Sequence, residues 1–198
     1  MKLLTSLLAL AALALTGCSS YVAPDYQPTA QSDEGVVVFT VTQEHSRAEN
    51  RREKIDFLFS GGALGYRKIV ASARSGWDFS VEPAFGKAYG RVYVLRFPVG
   101  MNQLTHWSMN DGFNNFYPPA PLPPLTFEVK PGSVTYLGNL HGKLLWGKNL
   151  FGGNVVTGVN TEVSDQSERD LKLVLQRYPQ FAGRITVAPL RPGPWLPE

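Results

Sequence analysis

Cysteine is almost absent: the 198 residues contain one, Cys18. A single thiol excludes an intrachain disulfide framework and any multi-cysteine zinc site. Charge of one sign is also scarce. Nineteen basic against 16 acidic residues leave a net charge of +3, and no basic stripe runs along the chain. That balance argues against nucleic acid as a partner. The nucleophile elbow G-x-S-x-G and the dinucleotide fingerprint G-x-G-x-x-G are both missing. What is present is 43% hydrophobic residues, only 18% charged, 19 glycines, 15 prolines and 12% aromatics. Such a mixture belongs to one turn-rich, strand-rich domain rather than to a disordered chain or a helical bundle.

The N-terminus opens with Lys2, then an uncharged run over residues 3–15, LLTSLLALAALAL. That run is too short for a membrane-spanning helix, which needs about 20 residues, and it suits the apolar region of a secretion signal. It ends Leu15-Thr16-Gly17-Cys18. This ending resembles the lipobox of bacterial lipoproteins. The resemblance implies a diacylglyceryl group on the Cys18 sulfur, cleavage between Gly17 and Cys18, and N-acylation of the new terminus. Palmitate is the kind of chain such anchors carry. Each buried methylene contributes about 0.8 kcal/mol, so several chains anchor a protein without a transmembrane helix. Ser19 and Ser20, with no Asp after the Cys, resemble an outer-membrane address facing the periplasm. The expected mature chain, 18–198, carries a side-chain charge of +2.

Residues 18–33 read as the lipidated Cys and a flexible tether: two prolines, small polar residues and no periodicity. Fifteen extended residues would reach at most about 50 Å. The alternative for 21–26 is a first edge strand. From Gly35 the pattern takes period two, the signature of a half-buried strand. Strands are expected at 35–42, 55–59, 67–72, 90–97, 125–130, 133–140, 155–163 and 184–188, with a weak one at 79–82. Residues 104–107 are expected to pair back across the Pro98–Gly100 turn. Pro131-Gly132 is a tight-turn signal between two strands. Gly138 within the return strand points to a bulge or a close backbone approach.

One helix is expected over 165–178. Asp165 and Glu168 have capping-box spacing, and Leu171, Val174, Leu175 and Tyr178 form one apolar stripe before Pro179. The sum is a mainly β fold: an antiparallel β-sandwich of about seven to nine strands with one late α-helix packed on it. The organisation is a signal peptide at 1–17, a tether at 18–33 and a single domain at 34–198 ending in a Pro-rich tail.

Three stretches resemble a group of bacterial envelope lipoproteins without assigned catalytic residues. They are Gly90 to Gly100 with Leu104-Thr105-His106-Trp107, then Phe127 to Leu140, then Ser167 to Leu171 with Tyr178-Pro179 and Phe181. The first is similar to the strand–turn–strand of transthyretin-like and carboxypeptidase-regulatory-like sandwiches, with Asn102 where a Tyr is usual. The resemblance implies the fold and carries no activity.

Catalytic and metal residues are expected to be none. His45, His106 and His141 fall at no metal-ligand spacing and read as ordinary surface or loop histidines. Residues 142–149, GKLLWGKN, match most of a P-loop, but Asn149 stands where Ser or Thr must hold magnesium, and the interior reads as a strand. Ser60 to Gly65 reads as a glycine-rich turn, and Ser75-Gly76 lacks the elbow pattern. Asp56 and Glu128 alternate outward as solvated acids. The mixed-charge run 44–54 is a solvated loop or a contact for anionic lipid or cell-wall polymer.

The connection 107–125, WSMNDGFNNFYPPAPLPPL, holds Trp107, Phe113, Phe116 and Tyr117 ahead of a polyproline-like stretch. These aromatics either contact a partner or cap an open end of the sandwich. The expected function is that of a lipid-anchored, non-enzymatic envelope protein that binds or positions another envelope component. The alternatives are a glycan- or small-molecule-binding module and a hydrolase whose site assembles from distant residues. No cofactor is expected beyond the covalent lipid. The partners are the membrane through that lipid and an envelope protein or glycan.

Overall fold

The computed structural model describes residues 21–44, 53–74, 83–86 and 88–197. The signal-like segment with Gly17 and Cys18, His45, most of the charged run, Ser75-Gly76 and the strand expected at 79–82 lie outside the described residues.

The described chain forms two packed sheets. The first contains β1 (Glu34–Glu44), β4 (Ala88–Pro98), β8 (Val134–Lys148), β9 (Asn154–Ser164), β10 (Ile185–Val187) and β11 (Gly193–Pro194). Its order is β11-β9-β8-β1-β4, with β10 beside the start of β8. The second contains β2 (Lys54–Ser60), β3 (Lys68–Ser72), β5 (Gly100–Asn110), β6 (Asn115–Phe116) and β7 (Leu125–Val129), in the order β3-β2-β5 with β6 and β7 sharing the far side of β5. Pairing is antiparallel except that β8 runs parallel to β1 and β10. Helix α1 (Ser167–Arg177) packs on the outside of the first sheet.

Burial follows from this layering. On β2, Ile55, Phe57 and Phe59 face the core while the residues between them face outward. β1 is buried along nearly its whole length because both its faces are covered. Val37, Phe39 and Val41 meet the second sheet, while Val36 and Val38 lie beneath α1 with Val174, Tyr178 and Phe181. A strand covered twice loses its polar alternation. Gly138, at φ +104°, is the expected bulge: the β1–β8 register shifts there.

Two turns hold as turns but not as hairpins. β5 does not pair back on β4; it pairs with β2, β6 and β7. The Pro98–Gly100 corner therefore carries the chain from one sheet to the other, as Pro131-Gly132 does between β7 and β8. Inward side chains of β4 (Tyr93, Leu95, Phe97) and β5 (Leu104, Trp107, Met109) then meet across the core. Asn102 donates its amide to the carbonyls of Pro98 (2.8 Å) and Gly100 (3.1 Å) and braces the corner.

Two further expectations change in detail, and two hold. Residues 21–33 do not stand free. Tyr21 bridges to Leu95, the buried Val22 accepts from the Tyr178 hydroxyl at 3.0 Å, and Gln180 donates to Pro24 O at 2.8 Å. The helix begins two residues late, with Gln166 at the N-cap and no side-chain cap bond. Asp165 instead accepts from the Ser167 N–H at 2.9 Å. The P-loop lookalike lies within β8 as far as Lys148. The tail is ordered: Trp195 is buried against Phe57 and donates its indole N–H to Pro123 O at 2.8 Å.

Candidate functional site

The aromatic connection divides between the core and the solvent. Trp107 is only 4% exposed and belongs to the core, and Phe116 packs half-buried against the same cluster. The side chains open to a partner are Phe113, 77% exposed, and Tyr117, 58% exposed. Strand alternation explains the split: Phe116 pairs with inward-facing Met109, so Tyr117 turns to the outer face.

Phe113 sits on a rigid turn. Asp111 Oδ1 accepts from the Phe113 N–H at 2.8 Å and the Asn114 N–H at 2.6 Å, and Asn110 Oδ1 accepts from the Gly112 N–H at 2.8 Å. Partial burial would raise the Asp111 pKa. The bonds from Asn114 and Phe113 outweigh it and hold the carboxyl below the usual range.

Tyr117 lies over His106 on the outer face of the second sheet, ring centroids 6.0 Å apart and planes 22° from parallel. The strand register sets what surrounds this pair. His106 is opposite Leu58, and Leu58 is opposite Val70, which makes one apolar cross-strand row. Ser108, Asp56 and Ser72 form the next row along the strands. On the other side, the hydroxyls of Ser60 and Thr105 bond each other at 2.7 Å. An aromatic and aliphatic strip thus runs between two hydroxyl-bearing rows.

Asp56 is the carboxylate beside this strip; Lys54, Lys68 and Glu128 also project from the outer face. Asp56 accepts from the Ser72 hydroxyl and pairs with Lys54 Nζ at 3.2 Å. The Ser72 backbone is held from beneath, through both its N–H and its carbonyl, by the Tyr93 hydroxyl. Burial, the largest influence, raises the Tyr93 pKa and keeps the phenol protonated.

The sequence marks Tyr117 and Phe113 but not Leu58, Val70, Ser72 or Ser108, and in it His106 and Asp56 look like ordinary surface groups. Period two sends Asp56 and Leu58 outward, but Leu104 and Trp107 both face the core, so a bulge at Thr105 breaks the alternation and puts His106 outside. Their assembly into rows depends on which strands neighbour one another, and no local signal carries that.

A second polar cluster has a different character. Asp170, on the inner face of α1, is fully buried and accepts from Thr40 Oγ1 and Tyr136 OH, each at 2.6 Å, and from Arg169 Nε at 2.7 Å. Burial first, and then the bond to Asp170, push the Tyr136 pKa up. Asn139 Oδ1 links Thr40 to Thr42, and Thr42 Oγ1 lies 2.8 Å from His141 Nδ1. Burial lowers the His141 pKa, against the opposing pull of Glu162 and Glu44. This chain of contacts ties the helix to β1 and β8.

Among the described residues, no group of three or more His, Cys, Asp or Glu is placed to hold a metal ion. No described helix is long and apolar enough to cross a membrane. Comparison with family models, curated proteins and solved structures returns no match.

Proposed function

We propose that the chain is a lipid-anchored, non-enzymatic protein of the cell envelope whose sandwich binds another envelope component, a glycan, on the outer face of the second sheet. The observation that carries this reading is the Tyr117–His106 pair on an apolar strip between hydroxyl-bearing rows. A flat ring packs on the C–H face of a sugar, while Asp56, Ser108 and the Thr105–Ser60 pair bond its hydroxyls. A sheet face presents these groups with little entropy to lose on binding. The lipid on Cys18 supplies the membrane attachment, and no further cofactor is assigned.

Docking of Tyr21 sharpens the anchor. Only two residues, Ser19 and Ser20, separate Cys18 from Tyr21, and the three steps span about 10 Å. The lipid therefore holds the domain close to the bilayer rather than on a long leash.

Two measurements test the reading. Cys18→Ser is expected to abolish lipid attachment and processing; a variant processed and membrane-bound as before would refute the anchor. The processed wild-type protein is expected to co-sediment with insoluble envelope glycan, and Tyr117→Ala to lose about tenfold or more in affinity, the scale of one stacked aromatic contact. Equal retention of both proteins would refute the face.

A further inference from the structure

The β8–β9 hairpin outruns the sheet that supports it. β1 ends its pairing with β8 at Gln43, opposite Gly142. From Lys143 to Lys148, β8 pairs with β9 alone among the described strands. The base of this finger still packs in the core through Leu144 and Val156, with Trp146 and Val159 beside them, but from Gly147 to Val155 no residue is buried, and the tip lies about 20 Å past the last β1–β8 pair.

At its tip stand Leu150 and Phe151, 100% and 95% exposed. They are the only adjacent pair of exposed large apolar side chains among the described residues. The turn that holds them is fixed. Asn149 Oδ1 accepts from the N–H groups of Phe151 (3.0 Å) and Gly153 (2.8 Å). The Gly152 N–H bonds Asn149 O at 2.9 Å, and the Asn149 N–H bonds Gly153 O at 3.0 Å. Gly152 sits at φ +78°, a conformation that favours glycine.

The charge on the finger is one-sided. From Gly142 to Thr161 the chain contains Lys143 and Lys148 and no Asp or Glu. Two side chains on a narrow turn offer too little area for a stable protein–protein contact, which buries about 1,200 Å² or more. Contact between the tips of two copies would also bring like charges together. Burying two apolar side chains just below lipid headgroups needs only depth, and lysines beside them favour anionic lipid.

We propose that the β8–β9 tip is a membrane-contacting finger that inserts Leu150 and Phe151 into the interface of an anionic bilayer. The site stands apart from the Tyr117 face and does not depend on the glycan reading. One consequence rests on the Cys18 anchor. Tyr21 is level with Leu95, Val37 and Thr135, which lie about 45 Å along the strands from the tip. Contacts at both ends would lay the sandwich along the membrane surface.

The test uses the processed full-length product in vesicles of phosphatidylcholine with or without phosphatidylglycerol. Phe151→Cys is labelled with an environment-sensitive nitrobenzoxadiazole probe, and Tyr66→Cys, at another fully exposed position, serves as control. Labelling of the unmutated protein reports separately on the anchor. An acylated Cys18 takes no probe; a labelled Cys18 refutes the lipid reading, and the probe experiment is then repeated with Cys18→Ser. The proposal expects a blue-shifted, several-fold brighter signal at 151 in phosphatidylglycerol vesicles. That signal is quenched by lipid-borne quenchers and reduced by Lys148→Glu, and position 66 does not change. A water-like signal at 151 overturns the proposal. So does a blue shift that lipid quenchers leave untouched, which marks protein contact, and so does an equal response at 66.

Discussion

The Tyr93 hydroxyl grips Ser72 twice, accepting from its N–H at 2.7 Å and donating to its carbonyl at 2.8 Å. Tyr93 stands on β4 and Ser72 on β3, so these bonds join the two sheets. Ser72 in turn donates its hydroxyl to Asp56 on the proposed glycan face. The core thereby sets the position of a surface carboxylate.

Tyr93→Phe keeps the ring stacked on Phe39 but strands two backbone groups in the interior. A loss of about 2 kcal/mol in unfolding free energy is expected, with the fold retained. Urea denaturation checks it, and a change within about 0.5 kcal/mol would show that water replaces the phenol.

Asp170→Asn removes a buried charge that faces Arg169, Thr40 and Tyr136. The Arg169 side chain is 27% exposed and stays solvated when its partner is neutralised, so the expected cost is that of weakened hydrogen bonds to a charged group, about 2–3 kcal/mol. Tyr136→Phe removes one bond and is expected to cost less. Chemical denaturation of the two variants side by side tests that order.

His141 gives a pH signature. Its folded pKa lies below the ordinary 6.5, chiefly because burial disfavours the cation. The unfolded chain then binds a proton that the folded one refuses. This group therefore leaves stability unchanged above pH 6.5 and lowers it as pH falls from 6.5 toward the depressed folded value. His141→Gln is expected to flatten the stability curve in that window. Equal slopes in variant and wild type would contradict the assignment.

Much of the fold was legible because period two marks strands locally. β2 and β7 alternate cleanly, and the stripe Leu171, Val174, Leu175, Tyr178 lies on the sheet as the helix period requires. Partner choice was not legible. Pro98–Gly100 and Pro131-Gly132 announce reversals, yet both pass between sheets, because turn chemistry does not say which sheet the next strand joins. Residues 21–33 look like linker by composition, but their backbone is held by Tyr178, Gln180 and Arg184, more than 150 positions away. The candidate site was half visible. The proline-rich connection pointed to Tyr117, while its stacking on His106 depends on β5 and β6 pairing at Met109.

The most direct test of the glycan-binding claim is a photo-reactive amino acid at Tyr117, irradiated in the intact envelope and read by the mass of its adduct. The account expects a saccharide adduct at 117, and a much smaller yield from the same probe at Val187, an exposed position on the first sheet. A peptide adduct alone, or no adduct on folded protein, would contradict it.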